Sequence, residues 1–124
     1  MAIRPIEIVQ KLMDAFNARD AEAMRPLLAE DAVLENVMLD PIEGRDAIVA
    51  FQERYCSSVQ SIDFRIHRFV EQGGVVATER SDDYVTGNGK QVKLLVAGFF
   101  EVEDGRIKLW RDYFDLATVQ RQSS

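Results

Sequence analysis

Residues 78–115 read TERSDDYVTGNGKQVKLLVAGFFEVEDGRIKLWRDYFD, three apolar-rich runs broken by Asn88-Gly89 and Asp104-Gly105. Such dipeptides suit two-residue hairpin loops, whose central residues take positive φ. Counting outward from Gly87 opposite Lys90 predicts Arg80 across from Ala97 and Asp82 across from Leu95. Counting from Glu103 opposite Arg106 then sets Ala97 facing Asp112 and Leu95 facing Phe114. Residues directly opposite share a sheet face. This register therefore puts Arg80, Asp82 and Asp112 on one face with Thr78, Leu95, Ala97, Phe99, Trp110 and Phe114. Two carboxylates and a guanidinium in an aromatic setting have the makings of a site.

Before Ser61 the chain is mainly helical in pattern. Val9, Leu12, Met13 and Phe16 recur at helix spacing behind Pro5, a residue suited to a first helical turn. Asp20 reads as the N-cap of a second, shorter helix with Met24, Leu27 and Leu28 inward. Pro26 inside it should shorten or bend it. Ala32–Val37 reads as a short strand, and Gly44-Arg45-Asp46 opens a third helix in which Ile48, Phe51 and Tyr55 share a face. The runs Ile62–Val70, Val75–Thr86, Gln91–Glu103 and Arg106–Phe114 are strand-like, each pair joined by a short turn. Residues 115–124 read as a polar tail.

Helices followed by an antiparallel meander predict an α+β domain with the helices on one face of the sheet. Gly98 permits a sharp bend in the central strand. The expected shape is a cone: a strongly curved, mixed or antiparallel sheet, with three N-terminal-half helices closing an internal pocket. One domain over residues 1–124 is expected from the length.

Composition narrows the function. A formal charge of −6 with no Lys/Arg cluster argues against a nucleic-acid partner. A single Cys56 excludes an intrachain disulfide and fits a reducing cytoplasm. With one Cys and one His the soft ligands are too few for zinc, and no cofactor is expected. No apolar run reaches the roughly 20 residues of a membrane span, and no signal-peptide pattern opens the chain.

Strands two apart lie about 10 Å from each other, a gap that an Arg side chain crosses in large part. Arg80 could then bridge Asp82 and Asp112 over the small Ala97. The alternative is an ion-pair row on a solvated sheet face. Phe99, Trp110 and Phe114 count against it, because an exposed face rarely carries so many aromatics. Inside a pocket, two carboxylates cannot both ionise cheaply, so one pKa rises while the other stays low. That separation supplies an acid and a base at one pH.

Arg80-Ser81-Asp82 with the run Trp110-Arg111-Asp112-Tyr113-Phe114-Asp115 resembles the limonene epoxide hydrolases, within the nuclear-transport-factor-2-like (SnoaL-like) superfamily. The opening helix, Asp31-Ala32-Val33 and Gly44-Arg45-Asp46-Ala47-Ile48 also look like that superfamily. The resemblance implies that Asp112 is the base activating water, Asp82 the acid protonating the epoxide oxygen, and Arg80 the link between them. It further implies that Asn36 holds the attacking water. The family's water-holding Tyr falls at Leu34, where this chain has no hydroxyl. A homodimer through the outer sheet face and a small apolar substrate are likewise implied. Two other readings stay open: a ketosteroid-isomerase-like or polyketide-cyclase-like enzyme, and a non-catalytic ligand-binding module. Phe16 stands about where the isomerases carry a Tyr, which weakens the first.

The remaining polar residues have plainer readings. Asp83 is expected on the opposite, solvated face, and His67 at a surface or rim. Arg111 and Tyr113 belong on the outer face under a helix or a partner. Cys56 reads as a small buried filler, and Met13, Met24 and Met38 as core or pocket lining.

Overall fold

In the computed structural model, which describes residues 3–124, Pro5 opens helix α1 (Pro5–Asn17), where a helix needs no N–H. The stripe Val9, Leu12, Met13 and Phe16 is buried in the main core. Asp20 accepts a hydrogen bond from the Ala23 N–H and caps the second helix, as expected. That helix, Ala21–Leu27, is wound as a tight 3-10 segment, with Pro26 next to its end. Helix α2 (Arg45–Ser58) follows Gly44, whose φ of 94° is open to glycine at little cost.

The strands are β1 (Leu28–Asn36), β2 (Ile42–Glu43), β3 (Val59–Gln72), β4 (Val75–Thr86), β5 (Gln91–Val92), β6 (Leu95–Glu103) and β7 (Arg106–Tyr113). They form one mixed sheet in the order β2-β1-β7-β6-β4-β3, with β5 beside β4. Only the β1–β7 pairing is parallel. The early strand is longer than Ala32–Val37 and begins at Leu28. The helices close one face: Phe16 of α1 packs with ring centroids 4.7 Å from Phe64 and 5.7 Å from Trp110. The α+β cone expected from the sequence is the architecture found.

The register differs from the count in two places. Thr86 donates its N–H to the Lys90 carbonyl, so the first hairpin has a three-residue loop, Gly87-Asn88-Gly89, with Gly89 at φ 86°. This moves β6 by one residue: Arg80 faces Val96, Ser81 faces Leu95 and Thr78 faces Gly98. In the second hairpin Glu103 does pair with Arg106, but a bulge follows, in which Val102 faces Ile107 and Glu101 faces Leu109. Lys108 is the extra residue, and beyond it Asp112 faces Gly98 rather than Ala97.

Two one-residue shifts preserve the parity of β4 against β7 and invert that of β6. Arg80, Asp82 and Asp112 thus still share the inner face. Leu95, Ala97 and Phe99, expected in the pocket, lie on the outer face instead; Leu95 is 76% exposed and Phe99 44%. Their inward places are taken by Leu94, Val96, Gly98 and Phe100.

The expected tail is also ordered. Asp115 caps helix α3 (Leu116–Ser123), accepting from the Ala117 N–H and the Thr118 hydroxyl. Gln122 brackets Lys93, accepting its N–H at 2.6 Å and donating to its carbonyl at 3.2 Å. No helix among the described residues is long and apolar enough to cross a membrane.

Candidate active site

The centre of the inner face is a buried ion cluster. Arg80, 1% exposed, donates from Nε to Asp82 Oδ1 at 3.0 Å and from Nη2 to Asp82 Oδ2 at 2.7 Å. The same Nη2 reaches Asp112 Oδ1 at 3.1 Å, while Nη1 donates to Thr78 Oγ1 at 3.0 Å. Asp112 Oδ2 accepts from Trp110 Nε1 at 3.0 Å. The guanidinium also lies over the Phe100 ring, 5.7 Å from its centroid.

Gly98 makes this geometry possible. Asp112 and Thr78 both face Gly98, so Asp112 is one row off Arg80, and the guanidinium crosses β6 diagonally. A Cβ on Gly98 would overlap Arg80 Nη1 and come within 2.5 Å of Asp112 Oδ1. The gap that the sequence count assigned to Ala97 belongs to its neighbour. Thr78, expected to line the pocket, instead lies buried beneath the cluster as a partner of Arg80.

Burial pushes the Asp112 carboxyl above the usual carboxylate range, and the nearby Asp82 charge adds to this. Arg80 and the Trp110 N–H pull the other way. Burial likewise opposes the charge on Arg80, but Asp112 and Asp82 outweigh it and keep the guanidinium protonated. One cation thus faces two carboxylates, a geometry in which a proton on one of the acids relieves their repulsion.

The cluster opens into a cavity of about 190 Å³. Its polar floor consists of Arg80, Asp82, Asp112 and Asn36, and its apolar walls include Leu34, Trp110 and Phe114 as expected. In the parallel β1–β7 pairing, Asn36 lies beside Asp112 and Leu34 beside Trp110. The remaining walls come from residues the sequence count did not place there: Leu94 and Val96 through the register shift, Leu116 and Val119 through α3, and Gln52 with Tyr55 from α2. Helical spacing had already put Phe51 and Tyr55 on one face of α2, which was the available signal for that wall. Phe16 also lines the cavity.

The other polar residues are outside. His67 Nε2 lies 2.6 Å from Ser81 Oγ. Asp83, on the outer side as expected, is held by Arg65 Nη2 at 3.0 Å and accepts from the Leu94 N–H at 3.2 Å. Arg111 Nε donates to Glu35 at 2.6 Å, and Tyr113 packs edge-on against Phe99. Cys56 is buried, and Met38 is 38% exposed rather than pocket lining. Among the described residues no group of three or more His, Cys, Asp or Glu could hold a metal ion.

Known proteins resemble this chain in sequence and in fold. The family model for the limonene-1,2-epoxide hydrolase catalytic domain matches residues 3–124. Epoxide hydrolase EphG of Mycobacterium tuberculosis is 37% identical over 108 residues, covering 87% of this chain and 71% of that protein. The solved structure of an M. tuberculosis epoxide hydrolase of this type superposes with a TM-score of 0.85 at 34% identity, over 96% of this chain and 91% of that one. An NTF2-like protein of unknown function from Burkholderia pseudomallei reaches the same TM-score at 20% identity, over 98% of both chains, and attests the fold alone. With an Arg-bridged aspartate pair at the base of a cone-shaped fold, the chain belongs to the limonene-1,2-epoxide hydrolase family.

Proposed function

We propose that the protein opens a small, largely apolar epoxide to a diol by one-step attack of water. The observation that carries this reading is the single guanidinium, Arg80, bonded to both Asp82 and Asp112 at the floor of an apolar cavity. Water is held between Asn36 and Asp112, adjacent on neighbouring strands. Asp112 removes a proton as the water oxygen attacks an epoxide carbon. The carbon–oxygen bond breaks, and Asp82 gives its proton to the departing oxygen. Asp112 then loses its proton to solvent and Asp82 regains one from solvent, which restores the pair, while Arg80 stays charged throughout.

A raised pKa strengthens Asp112 as a base whenever Asp82 carries the shared proton. Ring strain drives the opening, so the protein supplies mainly orientation and matched proton transfers. A single turnover in ¹⁸O-labelled water tests the mechanism. Label should appear in the diol and in neither aspartate; label in Asp112 or Asp82 would sink one-step attack. Asp112→Asn should lose turnover while keeping its fold.

The isomerase reading receives little support, because Phe16, with no hydroxyl, lines the cavity where a donor would be needed. A binding module without turnover is favoured only by Leu34, 2% exposed and unable to hold water. The exposed Leu95, Phe99 and Tyr113 support a homodimer through the outer sheet face, to be checked by sedimentation. A cytoplasmic setting belongs to the same proposal, on the strength of the unpaired Cys56.

A further inference from the structure

Helix α2 brings two polar groups into an otherwise largely apolar cavity wall, groups that a wholly apolar substrate would leave unmatched. Helix α2 turns Gln52 and Tyr55 into the cavity, three residues apart and so on one side of the helix. Gln52 is only 4% exposed. The Tyr55 hydroxyl is buried and has no hydrogen-bond partner among the described residues. Its ring is fixed from several sides: Tyr84 meets it edge-on at 5.4 Å, Phe16 edge-on at 6.3 Å, and Phe64 lies 6.5 Å away. Burial, with the neighbouring Tyr84 and Asp82, holds the Tyr55 phenol far above its ordinary pKa, so it stays protonated and acts as a donor.

We infer that Tyr55, with Gln52 beside it, is a specificity-determining residue that donates to a second oxygen function of the substrate, a carbonyl or hydroxyl carried away from the epoxide ring. This rests on the epoxide reading of the site and sharpens its substrate class. The epoxide oxygen has its own donor in Asp82. Water can satisfy the Tyr55 hydroxyl while the cavity is empty. A wholly hydrocarbon epoxide would expel that water and leave the donor unpaired, whereas an oxygenated one would replace it. Sites built to bind a polar group discriminate strongly against analogues that lack it.

The test compares cyclohexene oxide with 3,4-epoxycyclohexanone in the wild-type protein and in Tyr55→Phe. The readout is the ratio of kcat/KM values, not either rate alone. The wild type should favour the ketone by roughly tenfold or more, and Tyr55→Phe should bring the ratio close to unity. A ratio near unity in the wild type, or one that survives Tyr55→Phe, overturns the assignment. A binding arm separates this from failure of the epoxide reading. Menthone, a saturated ketone with no epoxide, should raise the wild-type melting temperature more than p-menthane does, and Tyr55→Phe should abolish that difference. Equal shifts in the two proteins would overturn the role of Tyr55 even if neither epoxide were turned over.

Discussion

Arg80 occupies the space that a side chain on Gly98 would fill. The guanidinium reaches Asp112 only because the strand between them has no Cβ at that point. Neighbouring strands at this spacing normally place side chains, not a void, between residues two strands apart. The smallest residue of β6 thus determines whether Asp82 and Asp112 share a cation.

Gly98→Ala tests this relationship. The added methyl overlaps Arg80 Nη1 and crowds Asp112 Oδ1 and Thr78 Oγ1, the last at 3.2 Å. Arg80 is itself held by four buried hydrogen bonds and by the Phe100 ring, and has little room to retreat. Stability should fall by about 1–3 kcal/mol. Turnover should fall at least a hundredfold, read by thermal melting and by steady-state hydrolysis of an epoxide. Ala97→Gly, on the outer face, should leave turnover within a factor of a few.

Arg80→Met removes the only cation in the cluster. Two buried carboxylates are then left facing each other, and breaking a buried pair in this way costs about 3–5 kcal/mol. Without the cation, the Asp112 carboxyl would be driven further above its unfolded-state value. A carboxyl with a raised folded pKa destabilises the fold as pH climbs through that value, and less so below it. The deficit of Arg80→Met against wild type should therefore be larger at pH 8 than at pH 5 in urea titrations. A deficit independent of pH would contradict the ionic account. Arg80→Lys should restore little, since one ammonium cannot reproduce the two-pronged contact to Asp82 and still reach Asp112.

Asp112 should govern the acid side of the pH–rate profile. Its pKa is raised mainly by burial, and the base works only when ionised, so kcat/KM should fall as pH drops through that raised value. The Trp110 N–H stabilises the charged form through its 3.0 Å bond to Oδ2. Trp110→Phe removes that donor and should move the acid limb to higher pH. A shift to lower pH would exclude the bond as a stabiliser of the carboxylate. For the wild type, the Asp112 contribution to stability should decline as pH rises from about 4 through the raised value, and Asp112→Asn should flatten that slope.

Leu34→Tyr should restore a hydroxyl beside the water held by Asn36. Leu34 points into the cavity, so the larger ring has somewhere to go. If the water lacks a third partner, kcat should rise by about tenfold, within the range that a well-placed proton-handling group contributes. An unchanged kcat with a normal fold would mean that Asn36 and Asp112 hold the water sufficiently by themselves.

Much of this site was legible because face parity is a robust property of paired strands. Arg80, Asp82, Asp112, Trp110 and Phe114 all reach the cavity or its floor, from a count that misjudged the first loop and missed the bulge after the second, while Asn36 and Leu34 were placed there by the family resemblance. Each misjudgement was local. Thr86-Gly87-Asn88-Gly89-Lys90 admits a two- or a three-residue loop, and the choice depends on whether Gly87 joins the ladder. The bulge at Lys108 has no glycine or proline to announce it. The first shift inverts β6, which is why Leu95, Ala97 and Phe99 were expected inside and are found outside, and the second, on β7, returns Asp112 to the inner face. Helix α3 escaped notice because its apolar residues are few, and its order comes from Asp115 at one end and the Gln122–Lys93 bracket at the other. Those are tertiary contacts, invisible to periodicity.

Strand β6 is apolar on both faces, with Val96 and Phe100 turned one way and Leu95 and Phe99 the other. Hydrophobicity alone therefore gives the folding chain two nearly equivalent ways to lay this strand down. A slip by one residue would bury Phe99 instead of Phe100 and look acceptable to a purely oily core. It would also bring Ala97 into the space the guanidinium needs, leaving a buried cation without its second carboxylate. The ion cluster on the floor of the cavity therefore also specifies register, penalising a misaligned strand that hydrophobicity alone would accept.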